Sequence, residues 1–235
     1  MNISLGITTW NSATWISKQL DEHNYFEMSD NLIDEIIIQD DCSPDYDLLQ
    51  KYKTEKIKLY QNNKRLSPLL SRKNLVENCK NDWVLLMDSD NFLKKYSDNN
   101  VDCFKVIKNL PKNQNTIYCP GFLHHPSYVN ICNNIYNFND IKRVFNEHYI
   151  QTFLNTGNFL VPKKTYLEVC KDIDEKYLYY TVDVIYFLYL WLKKGNLIHC
   201  VGEYEYDHTI CLDGFTCTDS NKSVDILQQV YKLFL

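Results

Sequence analysis

The fold of this chain is decided by the stretch Trp83-Val84-Leu85-Leu86-Met87-Asp88-Ser89-Asp90-Asn91. Its first five residues are apolar with no polar alternation, which predicts a strand that is buried on both faces of a sheet. The strand ends in two carboxylates separated by one residue. Open α/β sheets bind ligands at the carboxyl ends of their strands, and paired carboxylates suit a hard divalent cation. The stretch therefore outlines a metal site, although Asp, Ser and Asn are also ordinary turn residues.

Length and composition indicate one globular unit. The chain has 235 residues, of which 45% are hydrophobic and 23% charged, so it is long enough to bury a substantial core. Its net charge of -5 argues against a general nucleic-acid binder, because such proteins normally carry a basic face. An acidic protein can still bind a phosphorylated ligand if a metal ion supplies the positive charge.

The N-terminus and the cysteines favour a cytoplasmic protein. No basic segment followed by a cleavable apolar run marks the chain for secretion. The nine cysteines never form a CxxC pair, so we expect them to be reduced and mostly buried. The candidate membrane segment Tyr177–Leu192 contains Asp183 and is shorter than the roughly 20 residues of a span, so it is better interpreted as a buried helix. The abundance of Asn, Ile, Lys and Tyr suggests an AT-rich genome, that of a large DNA virus or of a low-GC bacterium. For a viral protein the compartment would be the host cytoplasm.

Three strands are predicted before the central one, and the first two end in polar residues. These strands are Ile3–Thr8, Leu32–Gln39 and Ile57–Tyr60. The helix Pro68–Cys79, with proline in its first turn, leads into the central strand. This alternation of strands and helices predicts a wound, mostly parallel sheet whose right-handed crossovers bring the carboxyl ends of the strands to one rim. We therefore expect Thr8, Asp41 and Asp88 to be neighbours.

The second half is less regular. It contains a predicted loop, Gly121–Asn139, that is rich in aromatic residues, Asn and His, and long loops of this kind are often functional. Its Tyr128, Tyr136 and Phe138 suit either stacking on sugar rings or anchoring of the loop on the core. Helices are predicted at Val101–Leu110, from Lys163 to Cys170, at Val182–Lys194 with Gly195 as a left-handed cap, and at Ser223–Leu235, and strands at Thr116–Cys119, Asn158–Val161 and Leu197–Val201.

Several polar motifs follow one another in a fixed order along the chain. They are Ile7-Thr8-Thr9-Trp10-Asn11, Asp40-Asp41-Cys42-Ser43-Pro44-Asp45, Leu70-Ser71-Arg72-Lys73-Asn74, Met87-Asp88-Ser89-Asp90-Asn91, Asn155-Thr156-Gly157-Asn158-Phe159 and Tyr180-Thr181-Val182-Asp183 followed by Lys193-Lys194-Gly195. This ordered set resembles the inverting family 2 glycosyltransferases of the nucleotide-sugar-binding A fold. The resemblance implies an α/β, Rossmann-related, mostly parallel central sheet flanked by helices. It also implies a single domain, 1–235, with a nucleotide-sugar-binding half (1–95) and an acceptor-binding half with a closing helix (96–235).

On the donor side, the resemblance implies a nucleotide-sugar site. Its residues would be Thr8, Thr9, Trp10, Asp41, Arg72, Asp88, Ser89 and Asp90. Thr8 and Asp41 would contact the nucleobase, and acceptance of a ring N–H by Asp41 would favour uracil or thymine over a purine. Arg72 would lie beside the base and phosphates. The donor would then be a UDP-sugar, with a dTDP-sugar as the second choice.

The resemblance also implies a metal site and a general base. Asp90, with Asp88, would bind Mn²⁺ or Mg²⁺ at the diphosphate, and His208 either completes the metal sphere or is a solvated loop residue. Asp183 would be the base that deprotonates a hydroxyl of a glycan, protein or lipid-linked acceptor. The residue-level alternative for Asp183 is a carboxylate favoured by the helix dipole at a helix N-terminus.

Three residues depart from the family pattern. Val182 replaces the acidic residue that usually precedes the base, Cys42 stands where the family has glycine, and Ser71 replaces the alanine before the arginine. These departures loosen the subfamily assignment and leave the acceptor open.

The chemistry of sugar transfer agrees with the implied roles. Negative charge builds on the departing diphosphate, which requires a cation, and the incoming hydroxyl requires a base on the opposite face of the sugar. Two other classes remain: a noncatalytic nucleotide-sugar or glycan-binding module, and a haloacid dehalogenase-type phosphatase. The phosphatase motif usually opens its domain, whereas three predicted strands precede Asp88 here.

Overall fold

The structure of the chain is a computed structural model, which describes residues 2–121, 133–145, 158–179, 182–208 and 220–234. Within these ranges the strands are β1 (Ile3–Thr9), β2 (Ile33–Asp40), β3 (Ile57–Gln61), β4 (Trp83–Asp88), β5 (Asn91–Leu93), β6 (Thr116–Gly121), β7 (Ile135–Tyr136), β8 (Leu160–Pro162) and β9 (Leu197–His208). The helices are α1 (Ala13–Glu22), α2 (Tyr25–Met28), α3 (Pro68–Asn78), α4 (Cys103–Asn109), α5 (Phe138–Phe145), α6 (Lys163–Cys170), α7 (Val182–Lys193) and α8 (Ser220–Phe234), with 3₁₀ turns at Tyr46–Tyr52 and Glu175–Tyr177.

The strands form one sheet in the order β3-β2-β1-β4-β8-β6-β9-β5, with β7 paired to β9. The first four strands of this order are parallel, whereas β8 is antiparallel to both β4 and β6. The prediction of an α/β fold with a parallel sheet built from the first half of the chain is confirmed. Strands of the second half extend the sheet with mixed directions.

β4 lies inside the sheet, as its unbroken apolar run predicts. Its five apolar residues, Trp83 to Met87, are at most 2% exposed, and helices cover both faces of the sheet. One core layer contains α3, α6, α7 and α8, and the other contains α1 and α4. A strand covered on both faces needs apolar side chains in both directions, which explains the absence of alternation.

The first helix, α1, is capped by a side chain from another loop. Ser12 stands at the N-cap position, but its hydroxyl donates to the Trp10 carbonyl and makes no cap hydrogen bond. Instead, the Asp45 carboxylate accepts a hydrogen bond of 2.9 Å from the Ala13 amide. A carboxylate at this position satisfies an orphan donor and complements the helix dipole. The loop after β2 therefore fixes the loop after β1.

The second half confirms most predicted elements and corrects others. The helix predicted to end before a left-handed Gly195 does so, with φ of +79° at the glycine. The last strand is much longer than Leu197–Val201, and it pairs with β5, which the sequence pattern missed. Among the described residues, the cysteines are free thiols, buried except for Cys42. None of the described helices combines the length and apolarity that crossing a bilayer requires.

The predicted aromatic loop is only partly a loop. Its residues 122–132, with Tyr128, lie outside the described residues. Tyr136 belongs to β7 and is 7% exposed, while Phe138 begins α5 and stacks on Phe234 with ring centroids 6.0 Å apart. Tyr136 and Phe138 therefore pack on the core, which is the second of the two interpretations given to them.

Gly6 of β1 allows α3 to approach the sheet closely. A Cβ atom at this position would lie 2.2 Å from Cδ2 of Leu75, which is fully buried. We expect Gly6→Ala to lower the free energy of unfolding by about 1–3 kcal/mol through overpacking. Urea denaturation measures the loss, and Leu75→Ala in the same chain should make the added methyl group nearly neutral. A Gly6→Ala chain as stable as the wild type would contradict this close approach.

Candidate active site

The carboxyl ends of β2, β1 and β4 lie side by side, as the sequence predicts. In the register of the parallel strands, Thr8 is opposite Asp88 on one side, and Thr9 is opposite Asp40 on the other. The Asp41 amide donates to the Thr9 carbonyl at 2.8 Å. Thr8 is half-buried, whereas Thr9 and Asp41 are 4% and 5% exposed. The expected proximity of Thr8, Asp41 and Asp88 is confirmed.

Asp41 is held by hydrogen bonds on one of its oxygens. Oδ1 accepts from the Asn62 side-chain amide at 2.8 Å and from the Leu66 backbone amide at 2.9 Å. Burial raises the pKa of Asp41 above its usual value, and these two hydrogen bonds and the Arg65 charge oppose that rise. The guanidinium of Arg65 also covers the ring of Trp10, 3.6 Å from its centroid. Trp10 and Asp41 are therefore bordered by the same loop, which follows β3.

Arg72 pairs with Asp88 inside the protein. Its Nη2 lies 2.6 Å from Asp88 Oδ1, and the arginine side chain is 9% exposed while that of the aspartate is 35% exposed. Burial alone would lower the pKa of Arg72, but the Asp88 carboxylate reverses this effect and the net pKa is raised. Arg72 remains charged, because a buried cation is tolerated when it is paired.

The turn that carries Ser89 and Asp90 is fixed by its backbone. Gln19 of α1 donates to the Ser89 carbonyl at 2.7 Å, and β5 begins at the next residue after Asp90. Ser89 is nearly buried and Asp90 half-buried. His208 ends β9, with its backbone opposite Asn91 in the antiparallel register, so its Cα is close to the turn. The His208 side chain lies outside the described part of the chain.

Asp183 is fully buried at the start of α7. Its Oδ2 accepts from the Leu69 amide at 3.1 Å, in the first turn of α3, and the Ser67 side chain and the Tyr179 backbone lie close enough to lower its pKa. Burial raises its pKa from 3.8 to about 6, while these groups and the Arg72 charge act in the opposite direction. Its Oδ1 is buried and has no hydrogen-bond partner among the described residues.

Asp183 therefore links the first turns of two helices, its own helix α7 and α3. The alternative of a carboxylate placed by a helix dipole is realised in part, but the amide that Asp183 binds belongs to α3 and not to its own helix. This contact joins residue 183 to the half of the chain that carries the other acids. Arg72 lies one turn further along α3 and acts electrostatically on both Asp88 and Asp183.

The donor atoms at this rim fit a hard divalent cation that is shared with a ligand. Among the described side chains, no cluster of three or more His, Cys, Asp and Glu could hold a metal ion. Asp88 and Asp90 supply two carboxylates, one of which has an oxygen engaged by Arg72. Mg²⁺ and similar ions are commonly bound by one or two carboxylates, with phosphate oxygens of the substrate completing the shell. The residues fit such an ion in the presence of a diphosphate.

Several residues of this site had no periodic signal in the sequence. Gln19 lies on the buried face of α1, and Asn62 and Arg65 lie in the polar segment after β3. For Asn62 and Arg65, the only indication of a place in the site was that they follow β3, because loops after parallel strands come to the same rim of the sheet. Asn155, Thr156 and Gly157 of the predicted acceptor-side motif, together with Tyr180 and Thr181, lie outside the described residues.

Comparison with known proteins gives one family. The sequence model described as "Glycosyl transferase family 2" matches residues 4–169. No curated protein sequence gives a significant match.

Solved structures share the fold. One is S. aureus TarS 1–349 in complex with UDP, with a TM-score of 0.65 and 15% identity over 100% of this chain and 65% of that chain. The same protein with UDP-GlcNAc gives a TM-score of 0.64 and 14% identity over 98% and 65%. GalNAc-T7 with UDP, GalNAc and Mn²⁺ gives 0.65 and 12% over 99% and 48%. The chain thus spans less than two thirds of these proteins, and at these identities the likeness shows the fold.

Replacing Asp183 should remove a pH dependence of stability. Because its pKa is about 6 in the folded chain and 3.8 ordinarily, the folded state binds more protons between these values. Stability from this group is therefore present at low pH and lost as pH rises through about 6, a change of about 3 kcal/mol. We expect the stability of Asp183→Asn, relative to wild type, to increase by up to this amount between about pH 4 and pH 7.

Urea denaturation at the two pH values measures this change. Asp172→Asn provides the matched control, because Asp172 is exposed and pairs with Lys194 at the surface. A constant difference between Asp183→Asn and the wild type across this pH range would contradict a buried carboxyl with a raised pKa.

Proposed function

The chain belongs to glycosyl transferase family 2, and on that premise we propose that it is a metal-dependent, inverting glycosyltransferase that uses a UDP-sugar, or less favourably a dTDP-sugar. One observation carries the proposal: helix α3 is linked to all three acids. Its Arg72 pairs with Asp88 and interacts electrostatically with the fully buried Asp183. Its Ser71 is joined to Asp41 through the side-chain amide of Asn62. The solved structures of the same fold include complexes with UDP and UDP-GlcNAc, which supports a nucleotide-sugar donor.

The donor would bind along the rim of the parallel strands. Asp41 accepts the ring N–H of uracil or thymine, with Thr8, Thr9 and Trp10 of the β1 end beside the base. Thr9 Oγ1 supports this placement, because it is buried and has no hydrogen-bond partner in the structure. Arg72 and the turn from Asp88 through Ser89 to Asp90 face the phosphates and the sugar.

Asp90, with Asp88 and His208, would hold Mn²⁺ or Mg²⁺; the backbone register that sets His208 opposite Asn91 supports including this histidine. When bound, such an ion neutralises the charge that develops on the departing diphosphate. Arg72 donates a hydrogen bond of 2.6 Å to Asp88 and thereby orients that carboxylate. The Mn²⁺ in the GalNAc-T7 complex supports a divalent ion in this fold.

Asp183 is proposed as the general base. In the transfer step, the acceptor oxygen forms a bond to the anomeric carbon, the bond to the diphosphate oxygen breaks, and the hydroxyl proton passes to Asp183. A carboxyl with a pKa of about 6 suits this task near neutral pH, and its unpartnered Oδ1 is the oxygen available to the hydroxyl. Attack from the face opposite the leaving group inverts the anomeric configuration. Because Asp183 is fully buried, neighbouring residues must move aside before an acceptor reaches it.

The acceptor is proposed as a hydroxyl of a glycan, protein or lipid-linked sugar, bound by the second half of the chain. The family assignment argues against a haloacid dehalogenase-type phosphatase. A noncatalytic nucleotide-sugar-binding module would use the rim of the sheet without needing Asp183 as a base.

A screen of UDP-sugars and dTDP-sugars for nucleotide release with Mn²⁺ tests catalysis. We expect one donor to release its nucleotide, and Asp183→Asn to lower kcat by about 10²–10⁴-fold with little change in donor KM, because it removes general-base catalysis only. NMR of the product should show an inverted anomeric centre. Nucleotide binding without turnover of any donor would instead support the binding module, and an Asp183→Asn enzyme as active as the wild type would contradict the assigned base.

The metal requirement is tested by chelation and refilling. We expect EDTA to abolish nucleotide release and Mn²⁺ to restore it. In Asp90→Asn, the Mn²⁺ concentration for half-maximal rate should rise by about tenfold or more, since one of two proposed protein carboxylates is lost. Asp82→Asn is the matched control, because Asp82 is exposed at the opposite end of β4. Full activity in EDTA would contradict metal dependence.

A further inference from the structure

Asn62 is the centre of a buried hydrogen-bond network beside the site proposed for the nucleobase. It follows β3 and is 8% exposed. Its side-chain Nδ2 donates to Asp41 Oδ1 at 2.8 Å and to Ser71 Oγ at 3.2 Å. Its Oδ1 accepts from Gln39 at 3.0 Å and from Asn74 at 2.9 Å. An asparagine amide offers two donors and two lone pairs, so every hydrogen-bonding site of Asn62 is used.

These contacts fix the direction of the Asn62 amide. Turning the amide over would place its NH₂ group against two donors and its oxygen against the Asp41 carboxylate. The network is anchored on two elements, because Gln39 lies in β2 while Ser71 and Asn74 lie on α3. The Asn62 backbone is also held, since its amide donates to the Asp40 carbonyl at 2.9 Å. Asn62 therefore has one orientation available, and in it a donor faces Asp41.

The Asp41 carboxylate is constrained by this donor and by the Leu66 amide. Both hydrogen bonds reach the same oxygen, Oδ1. Two donors on one oxygen fix the rotation of the carboxyl plane and stabilise the ionised form. The orientation of the other carboxylate oxygen, Asp41 Oδ2, is fixed as a result. The same donors oppose the effect of burial, which favours the protonated form of Asp41.

We propose that Asn62 is a positioning residue that fixes the direction of the Asp41 carboxylate, and that it thereby sets the preference of the site for uracil over cytosine. This inference rests on the proposed function, in which Asp41 reads the nucleobase. Uracil presents an N–H at ring position 3, which an ionised carboxylate accepts. Cytosine presents a lone pair there, which an ionised carboxylate repels but a protonated carboxyl group can meet with its own proton. Discrimination therefore depends on the protonation and direction of Asp41.

Calorimetric titration of UDP and of CDP, each with Mn²⁺ present, tests the proposal. We expect the wild type to prefer UDP. In Asn62→Ala, UDP affinity should fall by about tenfold, since a hydrogen bond to a charged group is lost, and the ratio of UDP to CDP affinity should fall by a similar factor. Asn62→Ser, whose shorter side chain cannot span Asp41 and Ser71 together, serves as a second variant if the alanine chain does not fold. Asn62→Gln retains the amide and should keep more of the UDP preference than either.

Asn78→Ala is the matched control. Asn78 donates to Gln39 at 3.3 Å, at the outer end of the same network, and this contact does not involve Asp41. Loss of this bond should leave the UDP to CDP ratio at the wild-type value. A purely structural effect would lower the affinities for both nucleotides together and keep their ratio.

The outcomes separate this inference from the proposed function. A wild-type chain that binds UDP, together with folded Asn62 variants that keep the wild-type ratio, would overturn the role of Asn62 alone. A folded wild-type chain that binds neither nucleotide would overturn the proposed function. A reduced ratio in Asn62→Ala or Asn62→Ser with an unchanged ratio in Asn78→Ala would support the inference.

Discussion

The site depends on how α3 is seated against the sheet. Leu75 of this helix occupies the space left by Gly6 in the middle of β1, so the helix packs closely against this strand. The same helix makes three contacts to residues of the candidate site. The Leu69 amide binds Asp183, Ser71 joins the network of Asp41, and Arg72 pairs with Asp88. A shift of α3 would therefore disturb all three carboxylates together, which makes its packing the constraint on which the proposed chemistry rests.

The N-terminal half of the site follows from the sequence because its geometry is that of parallel strands. Once β1, β2 and β4 are recognised by their apolar runs, the parallel arrangement places Thr8, Asp41 and Asp88 at one rim without further information. Asp183 is different. Its helix was predicted, but its contact with the Leu69 amide joins residues 114 positions apart, and no local pattern specifies which helix start will meet it.

The strand β5 and the hydrogen-bond network of Asn62 were also missed, because neither has a local signal in the sequence. β5 has three residues and is stabilised by pairing with the end of β9, so its formation depends on a partner more than one hundred residues later. The amide network of Asn62 has no hydrophobic period, since polar side chains are selected there by mutual hydrogen bonding. Cys42 adopts φ of +64°, in the left-handed region, which explains why glycine is suited to this position in the family motif. The motif resemblance located the turn, whereas the backbone angle gives its cause.

The charged groups of the candidate site contribute little to stability. A partly buried ion pair such as that of Arg72 and Asp88 offsets its own desolvation at best, and a buried carboxylate such as Asp183 is costly when ionised. Perturbed carboxyl groups of this kind cluster at functional sites, which supports the proposed role of Asp183. The most direct measurement is a crystal structure of the chain with UDP and Mn²⁺. We expect uracil to lie against Asp41, and the diphosphate and the ion to lie beside Asp90. UDP bound away from the rim of β1, β2 and β4 would contradict the proposed donor site.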